Sequence, residues 1–335
     1  MNSKTNSPVL REVDLSVLEG VHIGNAQDAE AATGVTVLLF PRGARVGADI
    51  SGGGPATRES ALLSPLTAPT LVNAIVLSGG SAYGLAAGDG VAEWLEVHGM
   101  GYDTGIAPVP IVVQSCLYDL AYGSPDIRPD FAMGWAACHA AWTGEPVASG
   151  AVGAGTGATV GKICGMRRAM KSGLGVYAVE LDGLVMAAVV AVNALGDIYD
   201  EHTGRKIAGL LTPDRSGFAD TRAAWYAIGA PTDLFACANT TIGAVLTNGY
   251  LDKAQLTKLA SMTRNAYARC IRPAGTLADG DSIYAASTGT RPVDLNMAGV
   301  LAAEVMAEAI RRAVEASHVE DAEFLSRCWP PEGEA

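Results

Sequence analysis

Charge is what this sequence has least of. Only 17% of its 335 residues are charged, and 23 basic residues stand against 35 acidic ones, a net charge of −12. A chain of that sign repels phosphate backbones and anionic headgroups, and no Lys/Arg stripe offsets the repulsion locally. Nucleic acid and membrane are therefore not expected as partners. Long hydrophobic runs are also missing, since the longest, Leu184 to Val192, is about half of the roughly 20 residues that span a bilayer. The opening MNSKTNSPVLREVD has no apolar signal-peptide core, so a cytoplasmic location is expected. Six cysteines (Cys116, Cys138, Cys164, Cys237, Cys270, Cys328) form no C-x-x-C pair, which favours small core residues in a reducing compartment over a disulfide framework. Five histidines include no H-x-x-x-H pair, so neither a zinc site nor a Ser-His-Asp triad has support, and no cofactor or metal is expected.

What is present is apolar surface and glycine. With 49% hydrophobic residues and 40 glycines in no collagen-like period, the chain can bury a large core and turn tightly around it. Periodicity indicates mixed α and β structure. Two strands, 34–40 and 44–50, are predicted to form a hairpin around Pro41-Arg42-Gly43. A strand meets Gly79-Gly80 and a helix follows, with Ser81 as its expected N-cap. A buried strand near 111–113 precedes Tyr118, and a helix is predicted over 131–142. Segments 174–181 and 184–193 flank Asp182-Gly183, a favoured type I′ dipeptide. The weakly patterned stretch 199–233 is expected to be a surface excursion. Beyond it come an alternating strand from 241, a helix over 251–271 with Asp252 and Gln255 placed as a capping box, a strand over 281–288 and an amphipathic helix over 294–317. The tail from Ser326 is expected to fray. No repeat or linker-like shift divides residues 1–335, so a single domain is predicted.

Four motifs invite chemistry. The glycine-rich loop 151–162 ends in Gly161-Lys162, but Thr156 stands where a Walker loop needs glycine and Ile163 where it needs Ser/Thr. Gly79-Gly80-Ser81-Ala82-Tyr83-Gly84 misses the G-x-S-x-G elbow by one position. Asp279-Gly280-Asp281 lacks the twelve-residue calcium loop and is either a turn or an acid pair at an active site. Asn239-Thr240-Thr241 is either a turn-to-strand junction or a place where a threonine hydroxyl attacks the preceding carbonyl and frees its own α-amine. Such an amine, with a reference pKa of about 7.7 to 8.0, can serve as base for the same hydroxyl.

Taken together, these motifs resemble those of the DmpA/BapA-type aminopeptidases and, more closely in the nucleophile, of the nylon-oligomer (6-aminohexanoate-oligomer) endohydrolases, both self-cleaving N-terminal-nucleophile enzymes. The likeness runs from about Gly20 to Ser317. It rests on Gly34-Val35-Thr36-Val37, Leu77 to Leu85, Val160-Gly161-Lys162, Asn239-Thr240-Thr241-Ile242 with Thr247-Asn248, and Asp279-Gly280-Asp281-Ser282. The resemblance implies an α+β fold, a four-layer αββα sandwich. It implies cleavage between Asn239 and Thr240 into an α piece, 1–239, and a β piece, 240–335. It makes Thr240 the nucleophile, puts Asn193 and Tyr118 near the oxyanion and Lys162 beside the nucleophile, and sets Asp279 and Asp281 close to the α-amine. In the aminopeptidase branch the nucleophile is serine and a Ser-x-Glu arrangement replaces the acidic pair. Threonine with two aspartates therefore points toward endohydrolysis of linear amides, with release of N-terminal residues from short peptides, amides or esters as the alternative. Ornithine acetyltransferase also uses a self-released threonine, but its K-G-x-G-M segment has no counterpart here. A small amide or peptide is the implied partner, and a homo-oligomer, commonly a tetramer, the implied assembly.

Overall fold

Alternation along the strands decides the architecture. In Thr33–Ile50, Val35, Val37 and Leu39 belong to one apolar cluster while Leu38 and Phe40 belong to another. A strand that buries both faces needs a packing layer on each side. The same holds for Thr240–Tyr250, where Ile242, Ala244 and Leu246 enter one cluster and Val245 a different one. The computed structural model describes residues 10–229 and 239–329.

Ten strands follow in chain order: β1 (Leu10–Glu12), β2 (His22–Asp28), β3 (Thr33–Ile50), β4 (Ala56–Arg58), β5 (Val72–Ser78), β6 (Val112–Cys116), β7 (Leu174–Leu181), β8 (Leu184–Asn193), β9 (Thr240–Tyr250) and β10 (Ser282–Pro292). They form one hydrogen-bonded path, β1-β7-β8-β9-β10-β3-β5-β6-β4, with β2 also paired to β3. The helices are α1 (Ala87–Val97), α2 (Phe131–Thr143), α3 (Thr221–Ile228), α4 (Lys253–Cys270), α5 (Leu295–Glu315) and α6 (Asp321–Ser326).

β3 joins the two halves of the path. Residues 33–39 pair with β2, residues 35–39 also with β5, and residues 45–50 with β10. The predicted hairpin at 41–43 is therefore not formed. Pro41-Arg42-Gly43 sit inside one continuous strand, and the register against β5 shifts between Leu39 and Ala44. The extra residues act as a bulge that bends the strand out of one sheet and into the next instead of reversing it.

Three apolar clusters fill the gaps between four layers. Val91, Trp94, Leu95, Ala137 and Ala141 of α1 and α2 meet the outer face of the β3–β5 half. Leu38, Phe40, Ile75, Leu77 and Val113 meet Val185, Val189, Ile242 and Leu246 between the sheets. Met186, Val190 and Val245 meet Leu256 and Leu259 of α4 and Leu301, Val305 and Ile310 of α5. Each Val, Leu, Ile, Phe or Met among them, fully buried, contributes about 1.5–3 kcal/mol. Close approach to α5 needs glycine in β7, because a Cβ on Gly175 would lie 1.8 Å from the Ala309 carbonyl oxygen.

Local signals are met in several places. Asp252 and Gln255 form the capping box of α4, and Asp130, Asp220 and Asp294 cap α2, α3 and α5. Asp182 and Gly183 both take positive φ, 49° and 81°, between β7 and β8. Other expectations fail. Gly80, not Ser81, is the N-cap of the 3-10 turn Ser81–Ala86, and Ser81 itself has φ 54° and begins that turn. The stretch 199–229 is largely at the surface as expected, but it carries structure of its own, since Asp197–Tyr199 pairs with Lys206–Ala208 and α3 follows; residues 230–233 lie outside the described residues. Of the tail, Ser326 ends α6, residues 327–329 follow with Cys328 buried, and residues 330–335 lie outside the described residues. Cys164 is exposed while Cys116, Cys138, Cys270 and Cys328 are buried, and Cys237 lies outside the described residues. Among the described residues no helix is long and apolar enough to cross a membrane.

Candidate active site

Strand directions bring the sequence motifs together. β9 runs antiparallel to β8, with Asn193 at the end of β8 opposite Thr240 at the start of β9. β10 runs parallel to β9 with Ile242 opposite Ser282, so the Asp279-Gly280-Asp281 turn that leads into β10 lies at the same end as Thr240. In the other sheet β5 and β6 are parallel, with Ser78 opposite Cys116. Gly79-Gly80-Ser81 and Leu117-Tyr118-Asp119 therefore leave that sheet side by side, and the Ser81 N–H donates to the Leu117 carbonyl at 2.8 Å.

Thr240 is 5% exposed and Asn239 1%. The Thr240 hydroxyl donates to the Asn239 carbonyl oxygen at 2.5 Å, and the Gly280 N–H donates to that oxygen at 2.8 Å. Asn193 is fully buried. Its Oδ1 accepts from Lys162 Nζ at 2.8 Å and from the Thr159 N–H at 3.0 Å, and Lys162 Nζ also donates to the Asn193 carbonyl at 3.1 Å. Both partners of Oδ1 are donors, which fixes the amide's orientation. Asn193 Nδ2 then faces the Tyr118 carbonyl, to which it donates at 2.7 Å. The Tyr118 carbonyl is thereby part of the cluster. The Thr241 N–H donates to Asp281 Oδ1 at 2.8 Å, the Gly275 N–H to Asp281 Oδ2 at 3.2 Å, and the Thr276 N–H to Asp279 Oδ2 at 2.7 Å.

Burial and mutual repulsion set the electrostatics. Burial raises the Asp281 carboxyl to about 7, with the charge of Asp279 as the next cause. Burial likewise raises Asp279, against hydrogen bonds from Thr276 and the nearby Lys162. The two carboxyls repel each other and share the burial, so both hold their protons to higher pH than exposed carboxyls do.

Two buried groups escape sequence reasoning. Asp119 accepts from the Gly80 N–H at 2.7 Å and from the Thr33 hydroxyl at 2.8 Å, and burial raises it to about 6. Lys171 donates to the carbonyls of Gly155 and Ala158 at 3.2 and 3.1 Å and to that of Ser172, and burial lowers it to about 7. Lys171 therefore ties down the glycine-rich loop. That loop presents Thr159 and Lys162 to Asn193 and is a brace for the end of β8. Asp119 is made visible only by the packing of loops distant in sequence, and Lys171 only by the path of the main chain whose carbonyls it binds. Among the described residues no group of three or more His, Cys, Asp or Glu could hold a metal ion.

The chain is similar to known amide-bond hydrolases over most of its length. An uncharacterized aminopeptidase of Mycobacterium tuberculosis (strain ATCC 25618 / H37Rv) is 39% identical over 81% of this chain and 80% of its own. The 6-aminohexanoate-oligomer endohydrolase of Agromyces sp. (strain KY5R) is 32% identical over 88% of this chain and 84% of its own. The solved L-aminopeptidase D-Ala-esterase/amidase of Ochrobactrum anthropi, a variant of the Ntn hydrolase fold, superposes with a TM-score of 0.65 at 17% identity, covering 92% of this chain and 91% of its own. The four-layer arrangement is thus the α+β Ntn-hydrolase fold of the DmpA type. Residues 15–322 match the model of Peptidase family S58, and the chain, a hydrolase of amide and peptide bonds, belongs to that family.

Proposed function

We propose that the chain cuts itself between Asn239 and Thr240, and that Thr240 then hydrolyses amide bonds to release N-terminal residues from short peptides or amides. The observation that carries this reading is the Thr240 hydroxyl, buried and 2.5 Å from the carbonyl oxygen of its own preceding peptide bond. In the mature enzyme Thr240 Oγ1 attacks the substrate carbonyl while the free α-amine accepts its proton and passes it to the leaving amine; water then releases the acyl group. Asn193, held by Lys162 and Thr159, is the side-chain amide nearest in the ladder, and an oxyanion donor of this kind is worth about 2.7–4 kcal/mol of barrier. The Asp279–Asp281 pair is placed to balance the new ammonium.

Relatives named as aminopeptidases are 38–39% identical and those named as endohydrolases 30–32%, which favours exopeptidase action over the internal cleavage expected from the sequence. The threonine with two aspartates still supports the second reading, endohydrolysis of linear oligo-amides. Purified protein should run as two pieces on a denaturing gel and Thr240→Ala as one; active enzyme that runs as a single full-length band sinks the mechanism. Product lengths from long 6-aminohexanoate oligomers and from short peptides separate the two readings. Single N-terminal residues support the first, and internal fragments the second.

A further inference from the structure

We infer that the backbone N–H of Gly280 is the oxyanion donor for self-cleavage, an inference that rests on the proposed cut at Asn239-Thr240. Two observations meet at this residue. Its N–H lies 2.8 Å from the carbonyl oxygen of the bond to be cut, within the range that stabilises a developing oxyanion. A Cβ added to Gly280 would stand 2.7 Å from Thr240 Oγ1 and 2.9 Å from the Gly54 carbonyl oxygen, so only glycine lets a main-chain donor come this close to the nucleophile.

The surroundings make this donor rigid. The Asn239 N–H donates to the Ala278 carbonyl at 3.2 Å, and Asn239 and Asp279 form a parallel bridge. The Gly54 N–H donates to the Asp279 carbonyl at 3.0 Å and the Gly52 N–H to the Asp281 carbonyl at 3.2 Å. Segment 278–281 is thereby clamped between the scissile bond and residues 52–54. Asn193 directs its Nδ2 to the Tyr118 carbonyl, while the Gly280 N–H is a main-chain donor on the scissile carbonyl in the uncut chain.

The step balances within the chain. Thr240 Oγ1 bonds to the Asn239 carbonyl carbon, whose oxygen gathers negative charge against the Gly280 N–H. The bond from that carbon to Thr240 N breaks, and the hydroxyl proton ends on that nitrogen. Water then hydrolyses the resulting ester, leaving an Asn239 carboxyl and a Thr240 bearing a free amine and a free hydroxyl.

Full-length chain translated in vitro with glycolic acid at position 280 replaces this N–H by oxygen. Fragment appearance on denaturing gels is expected to slow about 100- to 1,000-fold relative to wild type. Wild type that is cut while the ester chain is cut equally fast overturns the assignment of Gly280 alone, whereas wild type that stays whole overturns the self-cleavage reading itself. Should the ester chain not fold, the infrared band of a 13C=18O-labelled Asn239 carbonyl in full-length Thr240→Ala decides. A band at lower frequency than an unbonded amide supports the donor, and one at the unbonded position overturns it.

Discussion

Replacing Lys162 with methionine keeps the aliphatic stem and deletes the donor that joins both oxygens of Asn193. The buried amide then keeps the Thr159 N–H but loses its charged donor. Turnover is expected to fall at least about 10-fold and stability by about 1–3 kcal/mol, read as kcat and as a shifted unfolding midpoint. Asp281 gives a pH test with a definite sign. Its carboxyl rises from 3.8 to about 7 on folding, so the folded chain keeps a proton that the unfolded chain has released. That contribution is full below about pH 4 and drains away as pH rises through 7. In the uncut Thr240→Ala background, Asp281→Asn should therefore gain on its parent by on the order of 2 kcal/mol between pH 4 and pH 7. Thermal melts at the two pH values check this, and a constant difference refutes it. The grouping of Thr240, Asn193, Lys162, Asp279 and Asp281 was implied by the resemblance, through short motifs at strand ends and glycine turns, and the strand pairing brings these residues to one end of β8, β9 and β10. Asp119 was not legible, because its partners Gly80 and Thr33 come from loops distant in sequence, and Lys171 was not, because it binds main-chain carbonyls that carry no side-chain signal.

Elements were legible where local chemistry and the final fold agree. The Asp182-Gly183 turn and the box at Asp252 and Gln255 satisfy their own backbones whatever packs on them, and both are present. β3 was misread because a proline, an arginine and a glycine together signal reversal, and only the pairing of its far half with β10 keeps the chain extended. Ser81 was misread as a cap for a related reason, since the φ of 80° at Gly80 starts the turn one residue earlier. Packing of α5 on β7 offers a test at this scale. Gly175→Ala forces a Cβ against the Ala309 carbonyl and should cost about 1–3 kcal/mol by overpacking, seen as a lower melting temperature. Cleavage at Thr240 should still occur, because the clash is with α5, and Gly175 pairs with Val190, three residues before Asn193 on β8.

Across the whole molecule the piece after the proposed cut is not peripheral. β9 lies between β8 and β10, and β10 between β9 and β3, so residues 240–335 supply the two central strands and 1–239 flank them on both sides. The two pieces should therefore stay together on size exclusion and melt in one cooperative transition, parting only in denaturant; separate elution under native conditions would contradict this. The burial of Asn239 and Thr240 also bears on time and concentration. A second molecule cannot reach that bond, so the proposed scission would be unimolecular. The fraction cut at a given age should be the same in a crowded and in a highly diluted sample, and each molecule becomes competent on its own clock, independent of how many others surround it.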